Sequence, residues 1–273
     1  MDTVVFIHGA WATPRCWRYF APLFAERGYR TLMPAWPCKD RPVDDQLAHP
    51  DPRLAKVGIP EIVAHYQAIV RRLPKPPVLI GHSFGGLIVQ QLLDRGYGAA
   101  GIAISSVPPR GVCALSRSPV RAAKKLWALF GSPSSWRGVV HPPQRDADEK
   151  ALRHAQGIET HLVPESRRIF WQLLTRAAAV DFHNARRPPL LLVGCGKDRC
   201  LPVEAQRRNW ECYAGAASRT DFALFPELTH MGIAEPGHQA LAAYCMAWAE
   251  DRQPEHMPGR SQDSAGCVTL LQG

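Results

Sequence analysis

The sequence reads GHSFG at residues 81–85, which matches the pattern G-x-S-x-G. In this pattern a sharp turn between a strand and a helix exposes the serine hydroxyl. Glycines are needed on both sides because side chains there would collide with the neighbouring strand and helix. An apolar run, VLI, precedes the motif and a helical pattern, LIVQQLLD, follows it. The sequence therefore predicts that Ser83 is a nucleophile; the alternative is an incidental serine in a Gly-rich turn.

A serine hydroxyl becomes a good nucleophile only when a base removes its proton, and that base is usually a histidine oriented by an acid. In this motif the chain order is Ser, Asp or Glu, then His. Asp198 follows the apolar run LLLVG, and His230 follows the run FALF. Loops at the carboxyl ends of parallel strands converge on one edge of a sheet. We therefore predict that Ser83, Asp198 and His230 form a catalytic triad, the alternative for Asp198 being a turn or cap aspartate.

The negative oxygen that develops on an attacked carbonyl needs hydrogen-bond donors, and loss of one costs about 3 to 4 kcal/mol. The residue after the nucleophile, Phe84, is expected to supply one backbone N–H. A second loop, in VVFIHGAW, follows the first apolar run, and its His-Gly pair lets the backbone turn towards the same point. We expect the N–H of Ala10 to be the second donor.

Six short apolar runs predict the strands that position these residues, because continuous apolar runs are typical of strands buried on both faces. They are VVFI (4–7), YRTLMP (29–34), PVLI (77–80), GIAIS (101–105), LLLVG (190–194) and FALF (222–225). Segments with apolar residues three or four apart lie between most of them and predict helices. Alternating strands and helices indicate an α/β fold with a mostly parallel, doubly wound sheet.

The interval 107–187 interrupts this alternation, because it contains helical patterns but no strand-like run. We interpret it as a helical cap, or lid, inserted into a core made of residues 1–106 and 188–251. Residues 252–273 are polar and rich in proline and glycine, and we expect a disordered tail there.

Composition limits the class of protein. The chain has 273 residues, 46% of them hydrophobic and 21% charged, as in ordinary globular proteins. Its eight cysteines show no spacing typical of a zinc site, so we expect free thiols and no metal. No signal-peptide pattern and no run of about 18 apolar residues is apparent. These features predict a cytoplasmic protein without a membrane span.

The net charge of +9 is concentrated in the cap, which has fourteen basic and six acidic side chains. A basic cap would attract an anionic substrate; the alternative is a solvated, Arg-rich outer face. Nucleic-acid binding is not expected, because no recognised motif accompanies the charge. Aromatic residues near the oxyanion loop or in the cap are candidates for an apolar substrate pocket, although cap aromatics can simply pack on the core. They are Trp11, Trp127, Phe130, Trp136 and Trp171.

Together, HGAW, GHSFGG, GKDRCLP and THMG occur in the order and context of the α/β-hydrolase superfamily, which the chain resembles over about residues 3–250. The segment VFIHGAWATPRCWRYFAPLFAERGYRTLMPAW is similar to the branch of plant methylesterases and hydroxynitrile lyases. The resemblance implies about six strands, without the superfamily's N-terminal hairpin. It also implies a serine hydrolase of small carboxylic esters that needs no cofactor.

Other activities at the same site remain open at this stage. They are a hydroxynitrile-lyase-like reaction, a perhydrolase, a carbon–carbon bond hydrolase and a non-catalytic ligand receptor. The lyase branch typically has a lysine near the histidine, and ELTHMG contains none. The sequence leaves the substrate and the oligomeric state open.

Overall fold

The computed structural model describes residues 2–112, 138–140, 162–250, 260–262 and 268–270. In these ranges the chain forms ten strands. They are β1 (Thr3–Ile7), β2 (Arg30–Leu32), β3 (Val78–His82), β4 (Ala100–Ile104), β5 (Val139–Val140), β6 (Glu165–Ser166), β7 (Leu190–Cys195), β8 (Thr220–Phe225), β9 (Arg260–Gln262) and β10 (Val268–Leu270).

Seven α-helices occur in the same described ranges. They are α1 (Ala21–Glu26), α2 (Val43–Ala48), α3 (Ile59–Arg71), α4 (Phe84–Asp94), α5 (Arg167–Gln172), α6 (Val203–Glu211) and α7 (His238–Glu250). Three short 3₁₀ helices lie at Pro14–Trp17, Pro52–Lys56 and Arg176–Ala178.

The main sheet has the strand order β2-β1-β3-β4-β7-β8-β10-β9. Its first six strands are parallel, and each contains or overlaps one of the six apolar runs. This confirms the prediction of an α/β fold with a mostly parallel, doubly wound sheet. Two short strands extend the sheet, with β10 parallel to β8 and β9 antiparallel to β10.

Helices cover both faces of the sheet, which explains why its strands are apolar at nearly every position. In β1, Val5 and Ile7 pack into the core layer that contains residues of α3, α4 and α6. Their neighbours Val4 and Phe6 pack on the opposite face, in the layer that contains residues of α1 and α7. Successive side chains in a strand point to opposite faces, so a strand with two buried faces has no polar alternation.

Most of the predicted cap, residues 113–137 and 141–161, lies outside the described residues, as does the helical pattern at 116–131. Its described parts include α5 and a two-stranded antiparallel ribbon of β5 and β6. We expected no strand in this interval, and strands of two residues are too short to produce a periodic pattern. The predicted disordered tail also lies largely outside the described residues, and its described pieces are β9 and β10. The domain boundaries therefore remain predictions.

The cysteines and the helices of the described part of the chain can be compared with the predictions. Its six cysteines are free thiols. None of its helices has both the length and the apolar character that a membrane crossing requires.

The first turn of α4 packs directly against the end of β1. A Cβ placed on Gly85 would lie 2.0 Å from the carbonyl oxygen of Ile7 and 2.7 Å from that of His8. Both neighbours are backbone atoms, which cannot rotate away as a flexible side chain would. Glycine is therefore required at this position by the packing of α4 on the sheet.

Gly85→Ala is expected to lower the free energy of unfolding by at least about 3 kcal/mol, because α4 would have to move off β1. Gly28→Ala is the matched control. Gly28 has a φ of 94° but no atom within 4 Å of an added Cβ. Alanine there should lower the free energy of unfolding only by the cost of a positive φ, about 1 to 2 kcal/mol. Urea unfolding of both variants measures the difference. Equal losses would contradict the contact argument.

Candidate active site

Ser83 lies in the turn between β3 and α4, at φ 56° and ψ −119°. A non-glycine residue with positive φ is strained, and surrounding contacts must hold it in place. Here the N–H of Ser83 donates to the carbonyl of Ile104 (3.0 Å), and its carbonyl accepts from the N–H groups of Gly86 (3.0 Å) and Val107 (2.9 Å). These hydrogen bonds fix the serine at the carboxyl edge of the sheet.

Asp198 and His230 lie in the loops after β7 and β8. Nδ1–H of His230 donates to Oδ2 of Asp198 at 2.8 Å. The other carboxylate oxygen, Oδ1, accepts the backbone N–H groups of Cys200 and Leu201, each at 2.8 Å. Asp198 is buried, so both of its oxygens are oriented by hydrogen bonds within the protein.

Hydrogen bonding keeps Asp198 ionised. Burial alone would raise the pKa of this carboxyl, but the hydrogen bond and charge of His230 and the N–H of Leu201 outweigh it. The net pKa of Asp198 lies below its ordinary value. A carboxylate facing Nδ1 holds the proton of a neutral imidazole on that nitrogen, so Nε2 is left as an acceptor. His230 therefore has the tautomer that a general base requires.

His82 and Glu235 hold the loop that carries His230. Nε2–H of His82 donates to the carbonyl of His230 at 2.6 Å, and the two rings lie 4.8 Å apart. Glu235 accepts the N–H of Thr229 (2.5 Å) and its hydroxyl (2.8 Å). Because His82 directly precedes Ser83, the same turn that exposes the serine also binds the histidine loop. The structure thus brings Ser83, Asp198 and His230 to one edge of the sheet.

The HGAW loop lies beside Ser83. A Cβ placed on Gly9 would lie 2.9 Å from Cβ and 3.4 Å from Oγ of Ser83. The preceding His8 is fully buried; its Nδ1–H donates to the carbonyl of Gly9 (2.9 Å) and its Nε2 accepts the N–H of Trp36 (3.1 Å). Burial, and then the charge of Lys39, lower the pKa of His8 well below its ordinary value. His8 is therefore neutral and fixes the loop after β1.

Ala10 and Phe84 carry the two N–H groups that we expected to bind an oxyanion. In the described part of the chain neither N–H donates to a protein acceptor. For Phe84 the reason is general, because the first N–H groups of a helix have no partner within the helix. Both groups remain free to donate to a ligand.

The aromatic candidates separate into two groups. Trp11 stacks on Phe170, with ring centroids 4.7 Å apart, and Phe170 packs edge-on against Phe84 at 5.9 Å. Trp171 is 54% exposed, whereas Phe170 is only 4% exposed. We did not predict Phe170 as a site residue, because the sequence does not reveal which of two adjacent aromatics in α5 faces inward. The remaining candidates lie outside the described residues: Trp127, Phe130 and Trp136.

One group of side chains among the described residues could offer ligands to a metal ion. Asp198, Cys200 and His230 each place one ligand atom within 4.8 Å of the others. Two of those residues already hydrogen-bond each other. The absence of a metal from this site stays a prediction.

The family assignment follows from the match between this sequence and a family model. Residues 4–243 match the model of the alpha/beta hydrolase family. The chain belongs to the alpha/beta hydrolase family. The superfamily resemblance seen in the four motifs is thereby confirmed. No protein with a curated description matches the chain.

Solved structures with the same fold include several hydrolases. A pyrethroid hydrolase from Sphingobium faniae JZ-2 has a TM-score of 0.64 at 19% identity, with 91% of this chain and 97% of that chain covered. A methylesterase, MES16, from Arabidopsis has a TM-score of 0.61 at 15% identity, with 92% and 99% covered. A monoacylglycerol lipase from Paleococcus ferrophilus has a TM-score of 0.61 at 18% identity, with 90% and 94% covered. At these identities the likeness establishes the fold.

His82→Phe is expected to destabilise this hydrolase fold by about 1 to 3 kcal/mol, because the carbonyl of His230 loses its donor in a buried place. Phenylalanine keeps the ring, so the change removes mainly the hydrogen bond. Thermal and urea unfolding measure the loss. His49→Phe is the control, since His49 is exposed. If the two variants were equally stable, the His82 contact would not hold the loop.

Proposed function

We propose that this protein hydrolyses carboxylic esters of small molecules through an acyl-enzyme on Ser83. The observation that carries the proposal is the hydrogen bond from His230 Nδ1 to the buried, ionised Asp198, at the sheet edge where the partly exposed Ser83 lies. The fold family and the esterase and lipase among the similar structures support an ester as the substrate.

Each group in the site has a role in such a reaction. Oγ of Ser83 attacks the ester carbonyl while Nε2 of His230 takes its proton. The negative oxygen of the tetrahedral intermediate accepts the N–H groups of Ala10 and Phe84. The intermediate collapses, the carbon–oxygen bond to the alcohol breaks, and His230 returns the proton to the leaving alcohol. Asp198 stabilises the imidazolium throughout.

Water completes the cycle. His230 removes a proton from a water molecule, which attacks the acyl-enzyme, and the second intermediate releases the acid as Ser83 regains its proton. No step needs a metal or an organic cofactor. The partly exposed ring of Trp11, in the HGAW loop and backed by the buried ring of Phe170, gives the site an apolar side, which favours an ester with an apolar group.

The positions of lysine residues near His230 and Asp198 distinguish hydrolysis from the lyase alternative. Met231, not a lysine, follows His230 in the chain. The lysine nearest in sequence to the acid, Lys197, is exposed and pairs with Glu227. No described lysine therefore stands where the lyase branch has one, so hydrolysis is the reaction that we propose.

Covalent labelling tests the nucleophile. The wild-type protein should react with a fluorophosphonate probe at Ser83, and Ser83→Ala should lose both the label and the hydrolysis of short p-nitrophenyl esters. Asp198→Asn should lower kcat by about 10³-fold or more, because an amide favours the wrong imidazole tautomer. The exposed Asp181→Asn is the control and should leave kcat unchanged. A folded wild-type protein without an adduct on Ser83 would favour a non-catalytic receptor.

We further propose that the substrate is anionic, on the strength of the basic excess within residues 107–187. Raising the ionic strength from about 0.01 M to about 1 M shortens the Debye length from about 30 Å to about 3 Å. The kcat/KM of an ester with a carboxylate should then fall by about 10-fold or more, while that of a matched neutral ester should hardly change. An identical response of the two esters to salt would contradict electrostatic attraction by the cap.

A further inference from the structure

An ion pair with no exposed surface lies behind the HGAW loop. Nζ of Lys39 lies 2.6 Å from Oε2 of Glu165, and both side chains are 0% exposed. Lys39 belongs to the loop after β2, and Glu165 begins β6, within the predicted cap. Removing two charges from water costs several kcal/mol per ion, so a buried pair adds little to stability. We therefore explain this ion pair by the backbone groups that its side chains bind.

Glu165 holds the backbone of Trp11. Its Oε2 accepts the N–H of Trp11 at 3.1 Å, and its Oε1 accepts the N–H of Ser166 at 2.9 Å. The carbonyl of Trp11 accepts the N–H of Val163 at 2.8 Å. Trp11 has a φ of 57°, a strained value for a bulky residue. The segment 163–165 thus holds Trp11 in this conformation from both sides.

These contacts determine the direction of the neighbouring Ala10 peptide. On one side, the carbonyl of Gly9 is bound by Nδ1–H of His8 (2.9 Å) and by the N–H of Ala12 (3.3 Å). On the other side, the N–H of Trp11 is bound by Glu165. The carbonyl of Gly9 belongs to the same peptide unit as the N–H of Ala10, whereas the N–H of Trp11 belongs to the next unit. A turn of either unit would break hydrogen bonds, and the bond to the carboxylate is worth more than one between neutral groups. The free N–H of Ala10 thus lies between two fixed backbone groups, in the loop whose Gly9 packs against Ser83.

Lys39 contacts or influences both residues whose side chains bind the HGAW loop, Glu165 and His8. Its ammonium neutralises Glu165, and it lies 5.4 Å from the ring centroid of Trp36, whose N–H binds His8. Burial lowers the pKa of Lys39, and Glu165 opposes that shift. Lys39 also helps to keep His8 neutral, as its bonds to the carbonyl of Gly9 and the N–H of Trp36 require.

We propose that Glu165 and Lys39 are positioning residues for the oxyanion hole, acting through the backbone of Trp11 on the N–H of Ala10. Neither residue touches the substrate. This proposal rests on the proposed ester hydrolysis. It adds that segment 163–165 of the predicted cap, and not only the loop after β1, sets the geometry in which the oxyanion is bound.

Two double variants isolate the hydrogen bond from the charges. Lys39→Met with Glu165→Gln, and Lys39→Met with Glu165→Leu, both remove the ion pair and keep side chains of similar volume. Only the Gln variant retains an acceptor for the N–H of Trp11. Neither leaves an unpaired charge in the interior, which is what makes single substitutions liable to unfold the chain.

The Leu variant should have a kcat lower than that of the Gln variant by about 10-fold or more, with a KM within about twofold. Its affinity for a trifluoromethyl ketone, which forms a tetrahedral adduct with a catalytic serine, should fall by the same factor. A purely structural role would lower the melting temperature without this selective loss. Equal kcat values and equal inhibitor affinities in the two folded variants would overturn the proposal.

Hydrogen exchange separates failure of this proposal from failure of the proposed function. The amide of Trp11 should exchange slowly in the wild-type protein and the Gln variant, and faster in the Leu variant, whether or not any ester is hydrolysed. Equal protection of Trp11 in both variants would refute the role of Glu165. Absence of a fluorophosphonate adduct in the wild-type protein would refute the hydrolase function and, with it, the oxyanion role.

Discussion

The first turn of α4 lies so close to the ends of β1 and β3 that two positions cannot carry a side chain. A Cβ on Gly81 would lie 2.2 Å from the carbonyl oxygen of Gly85, and one on Gly85 would lie 2.0 Å from that of Ile7. Within this tight turn Ser83 has a positive φ, and the N–H of Phe84, at the start of α4, has no acceptor within the helix. The same contact also sets the HGAW loop against the serine, since that loop begins where β1 ends. The features that make the site reactive follow from one backbone approach.

Near this contact, three polar side chains are buried away from water and are oriented by hydrogen bonds within the protein. Asp198 is bound through both oxygens, His8 through both ring nitrogens, and Glu165 through Lys39 and two backbone N–H groups. A buried polar group without partners would be destabilising, so each of these groups must keep its bonds for the fold to persist. Orientation of the site is therefore maintained by the same energy terms that maintain the fold.

Local patterns in the sequence predicted the six parallel strands, because strands buried on both faces leave continuous apolar runs. The turn motif and the polar residues after β7 and β8 predicted three residues that the structure places in the loops at one edge of the sheet, and they predicted the pair of Asp198 and His230 that hydrogen-bond there. Long-range partners left no such pattern. Lys39 stands in the polar stretch CKDRP, where an exposed lysine would be ordinary, and its partner Glu165 is 126 residues further on. Likewise, nothing near His82 indicates that its ring binds the carbonyl of His230.

The contrast has a physical origin. A strand or a turn is decided by residues that are adjacent in the chain, whereas the charge state and burial of Lys39 depend on which distant segment covers it. The segment that covers Lys39 is 163–165, within the predicted cap, and the same segment also binds Trp11. The predicted cap and the HGAW loop are in this way joined at Trp11, through the side chain of Glu165 and the N–H of Val163.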